Sequence, residues 1–154
     1  MRAIQGVVTA TVLAGCLILS GPATMQGQAA GKSSLEQQLA AARAATARYH
    51  DPNTALADGY VDLGPNPGEG GTIDFVNFDL IDCTLDVTKP EALRYVPSGD
   101  GLRLVGVEYS VPMACPDSPP EDFLAGAGEW EQEPGVPAWQ LAVFIWSGNS
   151  IESS

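Results

Sequence analysis

The chain has 154 residues, of which 7 are basic and 19 are acidic, so its formal net charge is −12 at neutral pH. We expect no nucleic-acid partner, because binding nucleic acid depends on neutralising phosphates with lysine and arginine. Anionic membrane surfaces are disfavoured for the same reason, and solubility is the simplest explanation of the acid excess.

The N-terminal segment has the pattern of a secretory signal peptide. Arg2 precedes an apolar run from Val7 to Leu19, and small residues follow as far as Ala30. The run is shorter than the ~20 residues that a membrane-spanning helix needs. We therefore expect residues 1–30 to be cleaved and residues 31–154 to form one exported domain, whose 6 basic and 19 acidic residues give a net charge of −13.

Two processing routes compete for this segment. Leu13-Ala14-Gly15-Cys16 resembles a bacterial lipobox, and lipidation of Cys16 would anchor the protein at the cell envelope. The apolar run continues past Cys16, however, whereas a lipobox usually closes it. We favour ordinary cleavage after Ala23 or Ala29, which predicts a secreted or periplasmic protein. Membrane association is then expected only through the alternative lipid anchor.

A helix is predicted to follow the signal peptide. Ser34 and Gln37 form the capping-box pattern at its start. Apolar residues then recur at three- and four-residue spacing as far as Tyr49, so one narrow face packs against a core. This face comprises Leu35, Leu39, Ala42 and either Ala45 or Thr46.

A second, short helix is predicted from Pro52 to Asp58. Asp51 suits an N-cap, Pro52 suits the first helical position, and Gly59 suits the stop. His50, the only histidine of the chain, then lies at the end of the first helix, where an imidazole interacts favourably with the terminal carbonyls. With no second histidine and no obvious nucleophile nearby, we interpret His50 as part of a helix corner, not of a catalytic cluster.

Short strands and turns are predicted after Tyr60. A glycine- and proline-rich stretch from Gly64 to Gly71 is typical of a loop. The first predicted strand is irregular and includes Ile73, Phe75 and Phe78. Two further strands, Arg94–Val96 and Leu102–Val111, are predicted to form a hairpin with a longer loop. The last predicted strand is Ala138–Trp146. Residues 112–120 and 126–137 are predicted to be loops.

Helices followed by strands indicate an α+β fold. We expect the N-terminal helix, or helix pair, to pack on a curved antiparallel sheet. A cystatin-like or nuclear-transport-factor-like roll is the first topology to consider.

Two cysteines remain in the predicted mature chain, Cys83 and Cys115. In an oxidising compartment they suggest one disulfide. Closing a loop of about 33 residues would contribute about 3 to 4 kcal/mol in the chain-entropy model. The alternative is a pair of free, buried thiols.

Four segments resemble a family of uncharacterised exported bacterial and archaeal proteins. They are Ala45-Thr46-Ala47-Arg48-Tyr49, Ala57-Asp58-Gly59-Tyr60-Val61, Pro90-Glu91-Ala92-Leu93-Arg94-Tyr95 and Leu104-Val105-Gly106-Val107-Glu108-Tyr109. The resemblance spans most of the mature chain. It implies a compartment and a fold, but not a reaction.

The chain departs from that family at two positions where relatives carry histidine. Asp74 stands at the first, within Thr72-Ile73-Asp74-Phe75-Val76-Asn77, and Ala142 at the second, within Leu141-Ala142-Val143-Phe144-Ile145-Trp146. Alanine offers neither a lone pair nor a proton. Any metal or proton chemistry that depends on both histidines is therefore not expected here.

Asp79, Asp82 and Asp86 lie in the densest acidic stretch and are weak candidate metal ligands. Oxygen ligands at such spacing suit Ca²⁺. However, the stretch lacks the glycine turn and the terminal glutamate of a helix-loop-helix calcium loop. A solvated strand edge and turn explain it more simply, and no cofactor is expected.

Asp74, Glu91 and Glu108 are the weak candidates for acid-base catalysis. Glu108 alternates with Val107 and Tyr109, which favours an outward or rim position. Three tryptophans, at 130, 139 and 146, suit either a sugar-binding platform or, more simply, the completion of a small core. No nucleophile-elbow, zinc-protease, Cys-x-x-Cys or phosphate-loop motif is present.

The hypothesis that these observations favour is an exported, non-catalytic domain. It would bind an unknown small molecule or envelope protein through the open side of its sheet. The alternatives are a hydrolase-like or lyase-like enzyme that uses carboxylates, and a calcium-dependent module.

Overall fold

The helical part of the protein comes first in the chain. The computed structural model describes residues 33–66 and 71–147. Helix α1 spans Leu35–Thr46 and a 3-10 turn, Ala47–His50, continues it. The capping box forms as predicted: Gln37 N–H donates to Ser34 Oγ at 3.3 Å, and Ser34 N–H donates to Gln37 Oε1 at 2.9 Å.

Helix α2 spans Pro52–Ala57 and confirms the predicted second helix. Asp51 Oδ1 accepts a hydrogen bond from Asn53 N–H at 3.0 Å, and Pro52 occupies the first turn. Gly59, with φ +94°, turns the chain away from the helix as a left-handed residue. None of the helices in the described ranges is long and apolar enough to cross a membrane.

In the described part of the chain, five strands form one antiparallel sheet whose spatial order follows the chain order. They are β1 Val61–Asn66, β2 Thr72–Val76, β3 Ala92–Ser98, β4 Gly101–Pro112 and β5 Ala138–Val143. The α+β class is therefore confirmed. The sheet is open, with β1 and β5 at its edges, so the predicted curved roll is not confirmed. The predicted signal peptide and Cys16 lie outside the described residues.

One face of the sheet packs against the helices and forms the core. Alternate strand residues point to this face, and all of the following are at most 4 % exposed: Phe75, Leu93, Tyr95, Val107, Tyr109, Leu141 and Val143. Ala42 of α1 and Ala55 of α2 are fully buried against them, with Leu35 and Leu39 at the margin. The predicted narrow apolar face of α1 thus faces the sheet.

Tyrosine hydroxyls connect the core to the loops around it. Tyr60 donates to the Pro90 carbonyl at 2.7 Å, Tyr95 to the Tyr49 carbonyl at 2.7 Å, and Tyr109 to the Val87 carbonyl at 2.8 Å. Each ring buries its apolar body while its hydroxyl satisfies a backbone acceptor.

The disulfide Cys83–Cys115 is present and confirms the predicted pairing, with a Cα–Cα distance of 5.4 Å. It joins the segment between β2 and β3 to the segment after β4. That second segment also covers the core, because Leu124 is buried and Phe123 packs edge-on to Tyr109.

The strand boundaries correct several expectations. β1 continues into the predicted loop as far as Asn66, which pairs with Thr72 after an irregularity between Asp62 and Pro65. A proline is tolerated there because β1 is an edge strand. Phe78, predicted in a strand, begins a 3-10 turn, Phe78–Leu80, which the Asn77 side chain caps by accepting from Asp79 N–H.

The turn of the hairpin and the last strand are both shorter than predicted. Ser98 pairs with Gly101, so the hairpin turn has two residues, and Gly99 adopts φ +59°, which glycine supplies without steric cost. β5 ends at Val143 and not at Trp146. Beyond it the chain turns, and Trp146 N–H donates to the Val105 carbonyl at 3.0 Å instead of extending the ladder with β4.

Candidate functional site: a polar cleft on the open sheet face

The sheet face opposite the helices carries a cleft of about 450 Å³. Its floor consists of alternate residues of the central strands, and its walls are β1 and the segment before β5. The polar residues that line it are Asn66, Asp74, Arg94, Glu108, Ser110, Glu133 and Gln140. Strand alternation explains the polarity, because the residues between them point to the core.

A buried ion pair lies at the centre of the cleft floor. Arg94 of β3 is 2 % exposed and Glu108 of β4 is 6 % exposed. Arg94 Nη2 donates to Glu108 Oε2. Removing both charges from water is costly, and each compensates for the desolvation of the other.

The second carboxylate oxygen of Glu108 has two donors of its own. Ser110 Oγ donates to Glu108 Oε1 at 3.2 Å, and Gln140 Nε2 donates to the same atom at 2.8 Å. Ser110 and Gln140 face each other across β4 and β5. Glu108 is therefore held from three sides, and its role is to organise the cleft floor.

Asp74 of β2 stands directly opposite Arg94 in the strand register. Its Oδ2 atom accepts a hydrogen bond from Asn66 Nδ2 at 3.2 Å. Its Oδ1 atom is buried and accepts no hydrogen bond from the described residues. Burial raises the pKa of Asp74 above its ordinary value, and the nearby negative charges of Glu108 and Glu133 add to that effect.

Glu91 is fully buried just before β3 but does not line the cleft. It accepts a hydrogen bond from Ser110 N–H at 3.0 Å. Burial raises the pKa of the Glu91 carboxyl to about 8. Ser110 thus lies between Glu91 and Glu108, because its backbone contacts the first and its hydroxyl contacts the second.

Of the three predicted catalytic candidates, the structure brings Asp74 and Glu108 to one cleft and leaves Glu91 behind it. The expected rim position of Glu108 is wrong. Alternation correctly places its side chain away from the core, but the opposite face is itself enclosed here by β1 and residues 131–137. Asp74 and Ala142, the two positions singled out in the sequence, both belong to this face: Asp74 lines the cleft, and Ala142 pairs with Glu108.

The structure does not gather the weak metal candidates into a site. Asp82 accepts from Thr84 N–H at 2.6 Å, and Asp86 accepts from Thr88 N–H at 2.9 Å, so both carboxylates organise local turns. Asp79 belongs to the 3-10 turn after β2. Within residues 33–66 and 71–147, no group of three or more histidine, cysteine, aspartate or glutamate side chains could hold a metal ion.

The histidine and the tryptophans lie outside the cleft. His50 is exposed at the end of the 3-10 turn after α1, and its ring packs edge-on to Trp146 at 4.5 Å between centroids. Trp146 Nε1 donates to Thr46 Oγ1 at 3.3 Å, and Trp130 packs near Phe123. Within residues 33–66 and 71–147 the three tryptophans share no ring contact with one another.

Sequence reasoning missed five polar cleft residues: Asn66, Arg94, Ser110, Glu133 and Gln140. Arg94 alternates with Leu93 and Tyr95 just as Glu108 alternates with Val107 and Tyr109, so the pattern places both on the non-core face. That signal was available. The contacts of Gln140 and Glu133 depend on the pairing of β5 with β4 and on the path of the preceding loop, which no local pattern encodes.

The chain matches no protein-family model, no curated protein and no solved structure.

Proposed function

We propose that this protein is an exported, non-catalytic domain that binds a small molecule in the cleft on the open face of its sheet. The observation that carries the proposal is the convergence of Asp74, Arg94 and Glu108 in one concavity. A volume of about 450 Å³ lies within the range of ~300–1,000 Å³ typical of small-molecule sites. Concave, partly apolar walls favour a small molecule over a protein partner, which would need a larger and flatter surface.

Burying the charged groups of the cleft floor contributes little to the stability of the fold, so their presence calls for a functional explanation. A buried ion pair rarely stabilises a fold more than apolar residues of similar size would. Arg94 and Glu108 nevertheless occupy the middle of the sheet, where apolar residues would otherwise suffice. Their retention is expected if they fix the shape and polarity of a binding surface.

Export is the second part of the proposal. The signal-like N-terminal pattern, the disulfide between Cys83 and Cys115 and the resemblance to exported proteins all support an extracytoplasmic location. Soluble release is the preferred route and lipidation at Cys16 the alternative. Incorporation of labelled fatty acid that disappears in Cys16→Ser would establish the anchored form.

A carboxylate-based enzyme is the second candidate function. Asp74 and Glu108 line the same cleft in different environments, because burial raises the pKa of Asp74 whereas Glu108 pairs with Arg94. Two carboxyl groups in one cleft, held in different environments, can serve as acid and base in hydrolases. Turnover of any compound in a panel of esters and glycosides, lost in Asp74→Asn, would favour the enzyme over the binding domain.

The binding proposal is tested by backbone NMR with a panel of small cationic, neutral and anionic compounds. Binding in the cleft is expected to shift the amide signals of Val76, Ala92 and Ala138. Val76→Phe fills the cleft and should abolish the shifts. Leu56→Phe, at an exposed position of α2 that does not line the cleft, is the control and should retain them. Shifts confined to other regions, or unchanged binding in Val76→Phe, would refute the proposed site.

A further inference from the structure

The hydrogen-bonding groups of the cleft are unevenly satisfied. Donor groups on its floor and wall already face carboxylates: Ser110 Oγ and Gln140 Nε2 donate to Glu108, and Asn66 Nδ2 donates to Asp74. The side chain of Arg94, paired with Glu108, is 3 % exposed. A ligand therefore finds few accessible donors in this cleft.

The acceptors of the cleft, in contrast, are not all satisfied. Asp74 Oδ1 receives no hydrogen bond from any described residue, although a buried carboxylate oxygen without a donor is costly. Glu133, on the opposite wall, is partly buried, and none of its side-chain atoms is paired within the described ranges. Asp74 lies on the cleft floor, in β2, and Glu133 lies on the wall formed by the segment before β5. A ligand that fills the cleft would contact both carboxylates.

The net charge of the cleft also favours a ligand that donates hydrogen bonds. Its lining includes three carboxylates, Asp74, Glu108 and Glu133, and one arginine, Arg94, which gives a formal charge of 1 − 3 = −2 when all are ionised. A phosphate or carboxylate ligand would meet repulsion and lack donors. A cation that carries N–H groups would be attracted by the negative charge of the cleft and would donate hydrogen bonds to its acceptors.

The remaining lining indicates an organic cation, not a metal ion. Val76, Phe78, Ile81 and Val136 contribute apolar walls, and Phe78 is 58 % exposed at the entrance. An apolar ligand body would cover this surface. A metal ion would instead need several converging oxygen ligands, and no three histidine, cysteine, aspartate or glutamate side chains of the described residues are grouped to hold one.

We propose that the ligand is an organic ammonium or guanidinium compound with an apolar body, held through its N–H groups by Asp74 and Glu133 and through its body by Val76 and Phe78. This inference rests on the proposed binding function and specifies its ligand class. Glu108 and Arg94 hold the cleft floor and are positioning residues in this arrangement.

The test compares three probes that share a phenyl body and differ in the head group: 2-phenylethylammonium, 2-phenylethanol and 3-phenylpropionate. Each is titrated into the oxidised mature protein at neutral pH while the amide signals of Val76 and Ala138 are followed. Only the ammonium compound is expected to bind. Asp74→Asn and Glu133→Gln should each weaken its binding by about tenfold, the effect of losing one charged hydrogen bond, whereas Asp100→Asn in the hairpin turn should not change it.

The outcomes separate the two proposals. Binding of the ammonium compound alone, weakened in both cleft variants, supports the cationic ligand class. Equal binding of all three probes, or stronger binding of 3-phenylpropionate, overturns the ligand class and leaves the cleft as a binding site. If none of the probes shifts cleft signals at millimolar concentration, the ligand class is likewise overturned, and the wider compound panel then decides separately whether the cleft binds anything. Because Glu133 lies in a surface segment, Glu133→Gln keeps the test decisive even if Asp74→Asn does not fold.

Discussion

Glu91 is a fully buried carboxyl whose titration should make the stability of the fold depend on pH. Burial raises its pKa from an ordinary 4.5 to about 8. The folded protein then binds a proton at Glu91 between about pH 4.5 and 8 that the unfolded chain releases. Since folding and proton uptake are linked, the free energy of unfolding decreases as pH rises through this window.

We predict that Glu91→Gln removes this dependence. The neutral amide keeps an acceptor for Ser110 N–H but does not ionise, so the variant should match wild type at pH 5. At pH 9 it should be more stable than wild type, by on the order of 4 kcal/mol. Urea unfolding at several pH values measures the effect, with Glu121→Gln at an exposed position as the control. Parallel pH profiles of wild type and Glu91→Gln would contradict the buried, protonated carboxyl.

The pairing of Arg94 with Glu108 predicts a strong non-additivity. Arg94→Met leaves Glu108 charged and buried without its cation, and should cost about 3 to 5 kcal/mol. Glu108→Met should cost a similar amount by isolating Arg94. The double variant, with no buried charge left, should cost much less than the sum of the two.

Denaturant unfolding of the four proteins completes that cycle. The exposed ion pair of Arg48 and Asp58 is the matched comparison, with Arg48 Nη2 2.9 Å from Asp58 Oδ2. Surface ion pairs contribute only about 0 to 1 kcal/mol to the free energy of unfolding. Arg48→Met should therefore change little. Additive losses for Arg94 and Glu108 would show that the two side chains act independently.

At the scale of the elements, Gly106 lies where β4 closely approaches the end of β5. Arg94 pairs with Gly106 but Tyr95 pairs with Leu104, so Val105 is an extra residue in β4 and the ladder is bulged. A Cβ atom on Gly106 would lie 2.9 Å from the Val143 carbonyl oxygen and 3.2 Å from Phe144 Cα. Backbone atoms would have to move to admit it.

We predict that Gly106→Ala destabilises the fold by about 1 to 3 kcal/mol, the usual cost of overpacking. It should also shift the NMR signals of β5, including Gln140. Gly101→Ala is the control from the same strand, because a Cβ atom there meets nothing within 4 Å. If Gly106→Ala and Gly101→Ala unfold at the same denaturant concentration, the contact between Gly106 and the end of β5 does not require glycine.

The success of the sequence predictions varied with how local each signal was. Both helices were predictable, because Ser34, Gln37, Asp51 and Pro52 act on backbone groups within three residues. The end of β1 was not, since Pro65 and Asn66 extend the strand only through pairing with β2. Likewise, the end of β5 depends on a hydrogen bond from Trp146 to Val105, about forty residues earlier in the chain.

For the molecule as a whole, the sequence pattern separated the two faces of the sheet but did not reveal what covers the second face. Alternation placed Glu108 away from the core, and a solvent-exposed position was the natural expectation. The structure instead encloses that face between β1 and residues 131–137, so a predicted surface acid is a buried ion-pair partner. The cleft therefore arises from strand order and loop path, which are properties of the assembled fold.

The disulfide acts on the same scale, because it joins two long segments that contain no strand. Without it, residues 77–91 and 113–137 would be held by turns, by the backbone bridge between Glu131 and Gln140, and by a few side chains such as Tyr109 and Gln38. Much of the benefit of such a link comes from restricting the unfolded chain. Both cysteines are at least partly accessible to solvent, so a reductant can reach the bond.

We predict that Cys83→Ser with Cys115→Ser lowers the free energy of unfolding by about 3 to 4 kcal/mol. That is a large share of the ~5–15 kcal/mol typical of a whole domain. Reduction of the wild type with dithiothreitol should lower its melting temperature to that of the double variant, whereas the double variant itself should not respond to the reductant. Intact mass before and after reduction, which differs by two hydrogens, confirms the oxidised state. Equal melting temperatures with and without reductant in a protein of confirmed mass would mean that the noncovalent packing of Tyr109, Phe123 and Leu124 alone holds these segments on the core.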